Sequence, residues 1–159
     1  MEDVLIIFGS KSDTDKMRGC ATALKEFEIS YQAHVLSAHR VPEKLSEVIE
    51  KFENDGGKVV VAGAGLAAHL PGVIASQTVL PVIGVPINGA VQGLDALFSI
   101  VQMPKSIPVA TVGIDNSYNA GMLAVEILAC QNPELQVKLR EFRSNMKKNF
   151  IAENDKTEL

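Results

Sequence analysis

The stretch Val4-Leu5-Ile6-Ile7-Phe8-Gly9-Ser10-Lys11-Ser12-Asp13 decides the fold of this chain. It begins with an unbroken apolar run containing branched side chains, the pattern of a strand covered on both faces. The run stops at Gly9, and beyond the polar loop Met17, Cys20, Ala21, Leu24 and Phe27 fall at helical spacing. The reading is strand, loop, helix. Ser12 with Asp15 has the form of a capping box, and Asp13 is an alternative cap. The loop therefore ends where a helix presents its free N–H groups.

The same unit recurs. Tyr31 to Leu36 predicts a second strand, and Pro42 opens a helix with Leu45, Val48, Ile49 and Phe52 on one face. Lys58 to Ala62 is a third strand, followed by Gly63-Ala64-Gly65 and a helix over Pro71 to Thr78. A strand at Pro81 to Val85, a helix over Leu94 to Gln102, a strand at Val109 to Ile114 and a helix from Asn119 to Cys130 complete the alternation. Apolar strands alternating with helices imply a parallel sheet covered on both faces by right-handed crossovers. The fold class is α/β: a three-layer, doubly wound, five-stranded parallel sheet in the flavodoxin-like order 2-1-3-4-5, with its ligand site at the carboxyl ends of strands 1 and 3. Past Pro133, Leu135, Leu139, Phe142, Met146 and Phe150 keep helical spacing. An extra C-terminal helix, about 133–159, is expected. It packs either on a neighbouring subunit or on its own sheet.

With 159 residues, 47% of them hydrophobic, the chain suits one domain spanning 1–159. A net charge of −4 with scattered Lys and Arg argues against nucleic acid as a partner, so any anionic ligand is held by local features. Cys20 and Cys130 are far apart and near no His/Cys cluster, which predicts free, buried thiols in a reducing cytoplasm and no metal centre. The acidic start Met1-Glu2-Asp3 is unlike a secretory signal, and no apolar run reaches membrane-spanning length.

Function is sought in the loops after the strands. Gly9 to Asp13 combines a glycine, two serine hydroxyls and a helix start, a site suited to phosphate or ribose, although for this loop taken alone a plain Ser/Asp cap after a tight turn is the favoured reading. Ser37-Ala38-His39-Arg40 ends the second strand; there an arginine fork suits phosphate and an imidazole moves protons near neutral pH. An exposed polar loop is the competing reading. The third loop, Gly63 to Gly72, contains G-x-G-x-x-A, yet no acidic residue ends the next strand, Gly84-Val85-Pro86-Ile87-Asn88, so a dinucleotide site is rejected. Its small residues suit backbone lying close to a planar ligand, and His69 is either part of that site or a helix-start histidine. His34 lies mid-strand and reads as structural; no hydrolase elbow or carboxylate pair stands out.

Taken together, G-S-K-S-D, S-A-H-R, A-G-A-G-x-A-A-H-L-P-G and Ser99-Ile100-Val101-Gln102-Met103-Pro104 resemble the N5-carboxyaminoimidazole ribonucleotide mutases (PurE family, class I) from Val4 to the final helices. The resemblance implies a cytoplasmic isomerase of de novo purine biosynthesis, without metal or cofactor, acting on a ribonucleotide. It also implies a homo-octamer with sites shared between subunits, and a functional link to an ATP-dependent synthetase supplying the substrate. Carried over residue by residue, it implies that Ser10, Asp13 and Arg40 hold the ribose phosphate, that Ser37 and Ala38 line the pocket, and that His39 transfers protons. Ala64, Gly65, Ala68, His69 and Leu70 would enclose the imidazole and its carboxylate. S-A-H-R, where the related direct carboxylases usually have S-A-H-K, points to the mutase branch. Val41 stands where threonine is usual and Leu66 where glycine is frequent, which bears on loop geometry. The competing readings are a direct carboxylase on the same fold and a non-catalytic phosphate- or nucleotide-binding module. A receiver-like module fits poorly, since the first strand is not followed by paired acids.

Overall fold

The computed structural model describes residues 2–156. Its backbone falls into two compact units with the boundary between Val125 and Glu126. In the first unit β1 (Val4–Phe8), β2 (Tyr31–Val35), β3 (Val59–Gly65), β4 (Val82–Ile87) and β5 (Ala110–Thr111) form one parallel sheet in the order 2-1-3-4-5. Helices α1 (Thr14–Glu26), α2 (Pro42–Asn54), α3 (Leu70–Ala75) and α4 (Leu94–Val101) are the crossovers, and α5 (Ser117–Ala129) follows β5. The predicted fold class and strand order are those observed.

Register puts Val4 opposite both Tyr31 and Val59, and Phe8 opposite Val35 and Gly63, so β1, β2 and β3 start level and β3 runs on to Gly65 past the ends of the other two. One face of the sheet sends Leu5, Ile7, Val60 and Ala62 against Leu45, Ile49 and Phe52 of α2, Ile74 of α3 and Ile100 of α4. On the other face Met17 of α1 fills the space beside Gly63, where an added Cβ would come within 2.4 Å of its sulfur. α1 and α5 approach closely through glycines: a Cβ on Gly121 would stand 2.7 Å from the Cys20 carbonyl oxygen. These close approaches explain small residues at positions where helices would otherwise carry larger ones.

Some details differ from the sequence reading. β2 lies at the sheet edge, as the predicted order has it, but it is not covered on both faces: Ala33 and Val35 are exposed. β3 runs through Gly65, so Gly63 and Ala64 are strand residues rather than loop. β5 is two residues long, although Val112 N–H still donates to the Gly84 carbonyl at 3.2 Å. The Ser12–Asp15 capping box does not form: Ser10 caps a short 3-10 turn, Lys11–Asp13, by accepting the Ser12 N–H at 3.3 Å, and α1 starts after it. Cys20 is fully buried and its thiol is pushed up to about 12 by that burial. Cys130, expected buried, is exposed, lying in the turn just past α5.

The second unit contains α6 (Pro133–Asn154), a 22-residue helix. Asn132 caps it by accepting the Leu135 N–H at 3.1 Å, and Pro133 occupies the first turn, where its missing donor costs nothing. The apolar stripe divides along the helix: Leu135 and Leu139 are buried, whereas Met146 and Phe150 are exposed, Phe150 to 74%. Residues 157–159 of the expected extension lie outside the described residues. No helix among the described residues is long and apolar enough to cross a membrane.

Candidate active site

Because the strands are parallel, β1 to β4 deliver their following loops to one edge of the sheet. A cleft of about 660 Å³ lies there, and every residue to which the family resemblance gave a site role lines it. In the first loop Ser10 is held by Ser12, whose hydroxyl donates to Ser10 Oγ at 2.8 Å. Asp13 is half-buried, and its carboxyl is raised above the ordinary range by that burial, against the pull of Lys16 and a hydrogen bond from Ser12, with Asp115 pushing it further up.

The second loop is a tight turn: Arg40 N–H and Val41 N–H both donate to the Ser37 carbonyl, at 3.3 and 3.0 Å. Ser37 and Ala38 are partly covered in the cleft wall, while His39 and Arg40 are exposed. Arg40 reaches back to the first loop, its Nη2 lying 3.4 Å from the Gly9 carbonyl oxygen. α2 follows without a side-chain cap at Val41, as the valine dictates.

Ala64 near the end of β3, and Ala68 and Leu70 beyond it, belong to the hydrophobic core, each 7% exposed or less, and still border the cleft. Leu66 and Ala68 adopt left-handed backbone, φ +57° and +42°. This conformation turns the chain sharply after Gly65 and presents His69, which is exposed. His69 Nδ1 lies 2.6 Å from His39 Nε2, with ring centroids 4.8 Å apart and planes nearly perpendicular at 87°. Such a contact is a hydrogen bond only if one nitrogen carries the hydrogen and the other a lone pair. His34 is elsewhere, half-buried in β2 with Nε2 3.0 Å from Gln32 Oε1.

The sequence reading missed Lys16, Asn88 and Gly89, which also line the cleft. Asn88 and Gly89 follow β4 and were findable by the rule that pointed to the first three loops. Lys16 sits near the start of α1, where the helix dipole disfavours a cation, which signals a nearby anion or acceptor. Among the described residues no group of three or more His, Cys, Asp or Glu side chains is arranged to hold a metal ion.

A cleft with one cationic fork at its rim and a hydrogen-bonded pair of imidazoles has the groups to bind a small anion and to move a proton. Comparison with known proteins gives the family. A family model described as AIR carboxylase matches residues 3–149. A Pyrococcus abyssi protein named N5-carboxyaminoimidazole ribonucleotide mutase is 54% identical over 149 residues, covering 93% of this chain and 86% of its own length. A Schizosaccharomyces pombe protein named phosphoribosylaminoimidazole carboxylase is 48% identical over 154 residues, covering 96% of this chain and 28% of that longer protein. The crystal structure of Treponema denticola PurE superposes with a TM-score of 0.89 over 98% of both chains at 26% identity. On sequence and fold, this chain belongs to the AIR carboxylase family.

Proposed function

We propose that this chain interconverts N5-carboxyaminoimidazole ribonucleotide and 4-carboxy-5-aminoimidazole ribonucleotide in de novo purine biosynthesis, an isomerase reaction that moves one carboxylate. The observation that carries the reading is the bonded His39–His69 pair set in a cleft with Arg40 and walled by the backbone of the third loop. Arg40, with Ser10 and Asp13, holds the ribose phosphate, Arg40 on the phosphate itself. Ser37 and Ala38 line the pocket, and Ala64, Gly65, Ala68, His69 and Leu70 enclose the imidazole and its carboxylate.

The chemistry balances without a further reactant. His39 gives a proton to the carbamate nitrogen, the C–N bond breaks with its electron pair remaining on nitrogen, and carbon dioxide is released into the cleft. The electron-rich ring carbon then attacks carbon dioxide, forming the C–C bond, and its proton returns to His39. One imidazole therefore serves as acid and then as base. Containing carbon dioxide between the two steps is the work of the apolar and backbone walls.

The S. pombe relative's name favours one second reading: direct carboxylation of aminoimidazole ribonucleotide. One experiment separates the two. The protein is incubated with 4-carboxy-5-aminoimidazole ribonucleotide and isotopically labelled bicarbonate, without ATP. Appearance of the N-carboxy isomer supports the mutase reading; exchange of label into the carboxylate with no N-carboxy isomer supports the carboxylase. A cytoplasmic homo-octamer, fed by an ATP-dependent synthetase that makes the labile carbamate, completes the proposal. The exposed Met146 and Phe150 of α6 are its candidate contacts, and light scattering giving the mass of a single chain would overturn it.

A further inference from the structure

The fourth wall of the cleft is tied down by a residue that does not line it. Asn88 and Gly89, just past β4, form that wall, and the Asn88 peptide is held at both ends. Its N–H donates to Asp115 Oδ1 at 2.8 Å, and its carbonyl oxygen accepts from Lys16 Nζ. Lys16 Nζ also lies 3.6 Å from the same Asp115 oxygen, which closes the loop of interactions. Both anchors are themselves fixed. Asp115 N–H donates to the Pro86 carbonyl at 2.8 Å, and the buried Ser117 hydroxyl donates to the Lys16 carbonyl at 2.5 Å.

The wall needs such ties. Beyond it Val91, Gln92 and Gly93 are three successive left-handed residues, at φ +44°, +56° and +82°. Two of them carry side chains that disfavour this region, so the segment has little intrinsic preference for its path. Asp115 is itself left-handed at φ +56°, a conformation aspartate tolerates better than most residues. The wall also abuts the loop that presents His69: a Cβ on Gly89 would stand 3.4 Å from Leu66 Cδ2.

We propose that Asp115 is a positioning residue which, with Lys16, latches the Asn88–Gly89 wall and so sets the fit of the ribonucleotide without touching it; this rests on the mutase reading. An ion pair whose side chains are both 36% exposed contributes little to overall stability, so its consequence falls on the loop it orders.

Two substitutions isolate the effect. Asp115→Gly removes the carboxylate while accepting the left-handed backbone more readily than aspartate does, so lost backbone fit cannot explain its phenotype. Asp115→Asn keeps an acceptor for the Asn88 N–H and removes only the charge. Steady-state kinetics should show KM raised about tenfold in Asp115→Gly and less in Asp115→Asn, with kcat within about threefold of the parent in both. Amide hydrogen exchange at Asn88 and Gly89 should be faster by at least about tenfold in Asp115→Gly. A KM unchanged in both variants overturns the proposal, as does a fall in kcat at constant KM. Exchange unchanged at Asn88 overturns it whatever the activity. If the parent protein fails to interconvert the two ribonucleotides, the mutase reading falls, and hydrogen exchange alone still decides whether the latch exists.

Discussion

His39 Nε2 and His69 Nδ1 stand 2.6 Å apart, although one residue follows β2 and the other follows β3. The bond joins loops separated by 30 residues in the chain and requires that exactly one hydrogen lie between the two nitrogens, so the pair cannot persist as two imidazolium ions. In the proposed mechanism His39 gives up and recovers the proton, and its bond to His69 orients the ring that does so.

His39→Asn keeps polarity and approximate size but cannot move a proton. Its turnover should fall at least about 10²-fold with nucleotide affinity nearly unchanged. His69→Asn should disturb binding and turnover together, since it loses both a wall group and the bond that orients His39. Stopped assays with parallel calorimetry distinguish these outcomes; the reverse pattern would exchange the two assignments.

Arg40 is the cationic fork at the cleft's rim, bridging toward Gly9. Arg40→Ala should weaken ribonucleotide binding by about 1.5–3 kcal/mol, the scale of a charge-assisted hydrogen bond. The corresponding nucleoside should bind the parent and the variant alike. Equal affinity of nucleoside and nucleotide for the parent would remove Arg40 from the phosphate.

Asp13 has its carboxyl raised chiefly by burial. Between the ordinary carboxylate range and the raised value the folded protein binds more protons than the unfolded chain, so stability falls as pH rises through that window. Above it the cost is fully present. Asp13→Asn should therefore be slightly more stable than the parent at pH 7, by under about 1 kcal/mol because solvent screens a half-buried group. The advantage should vanish as pH drops through the carboxylate range, while ribonucleotide affinity at pH 7 is lost. Thermal melts across pH check the sign, and a variant less stable at neutral pH would contradict it.

Leu66 holds φ +57° with its side chain 58% exposed. Leu66→Gly removes a strained Cβ and little buried surface, and should stabilise the fold by about 0.5–1 kcal/mol after the entropy of glycine in the unfolded chain is counted. Urea denaturation measures it directly. A destabilised variant would mean that the contact of Leu66 with Gly89 outweighs the backbone strain.

The sequence by itself determined the layers and the strand order, because buried parallel strands read as continuous apolar runs such as Val4 to Phe8, and crossover handedness leaves few topologies. It also determined which loops reach the cleft, since all parallel strands release their chains at one edge. Only the tertiary structure decided how those loops meet. That His39 bonds His69 rather than standing alone, and that Ala68 and Leu70 join the core at the border of the cleft, depends on left-handed turns at Leu66 and Ala68 that no residue type there announces. Ser10, not Ser12, became the cap because a 3-10 turn intervenes, a choice settled by hydrogen bonds too local and too evenly balanced for the pattern to show. The Lys16–Asn88–Asp115 latch was hidden for a different reason. Its members come from α1, from the loop after β4 and from the loop after β5, and a charge paired across such separations leaves no periodic trace in the chain.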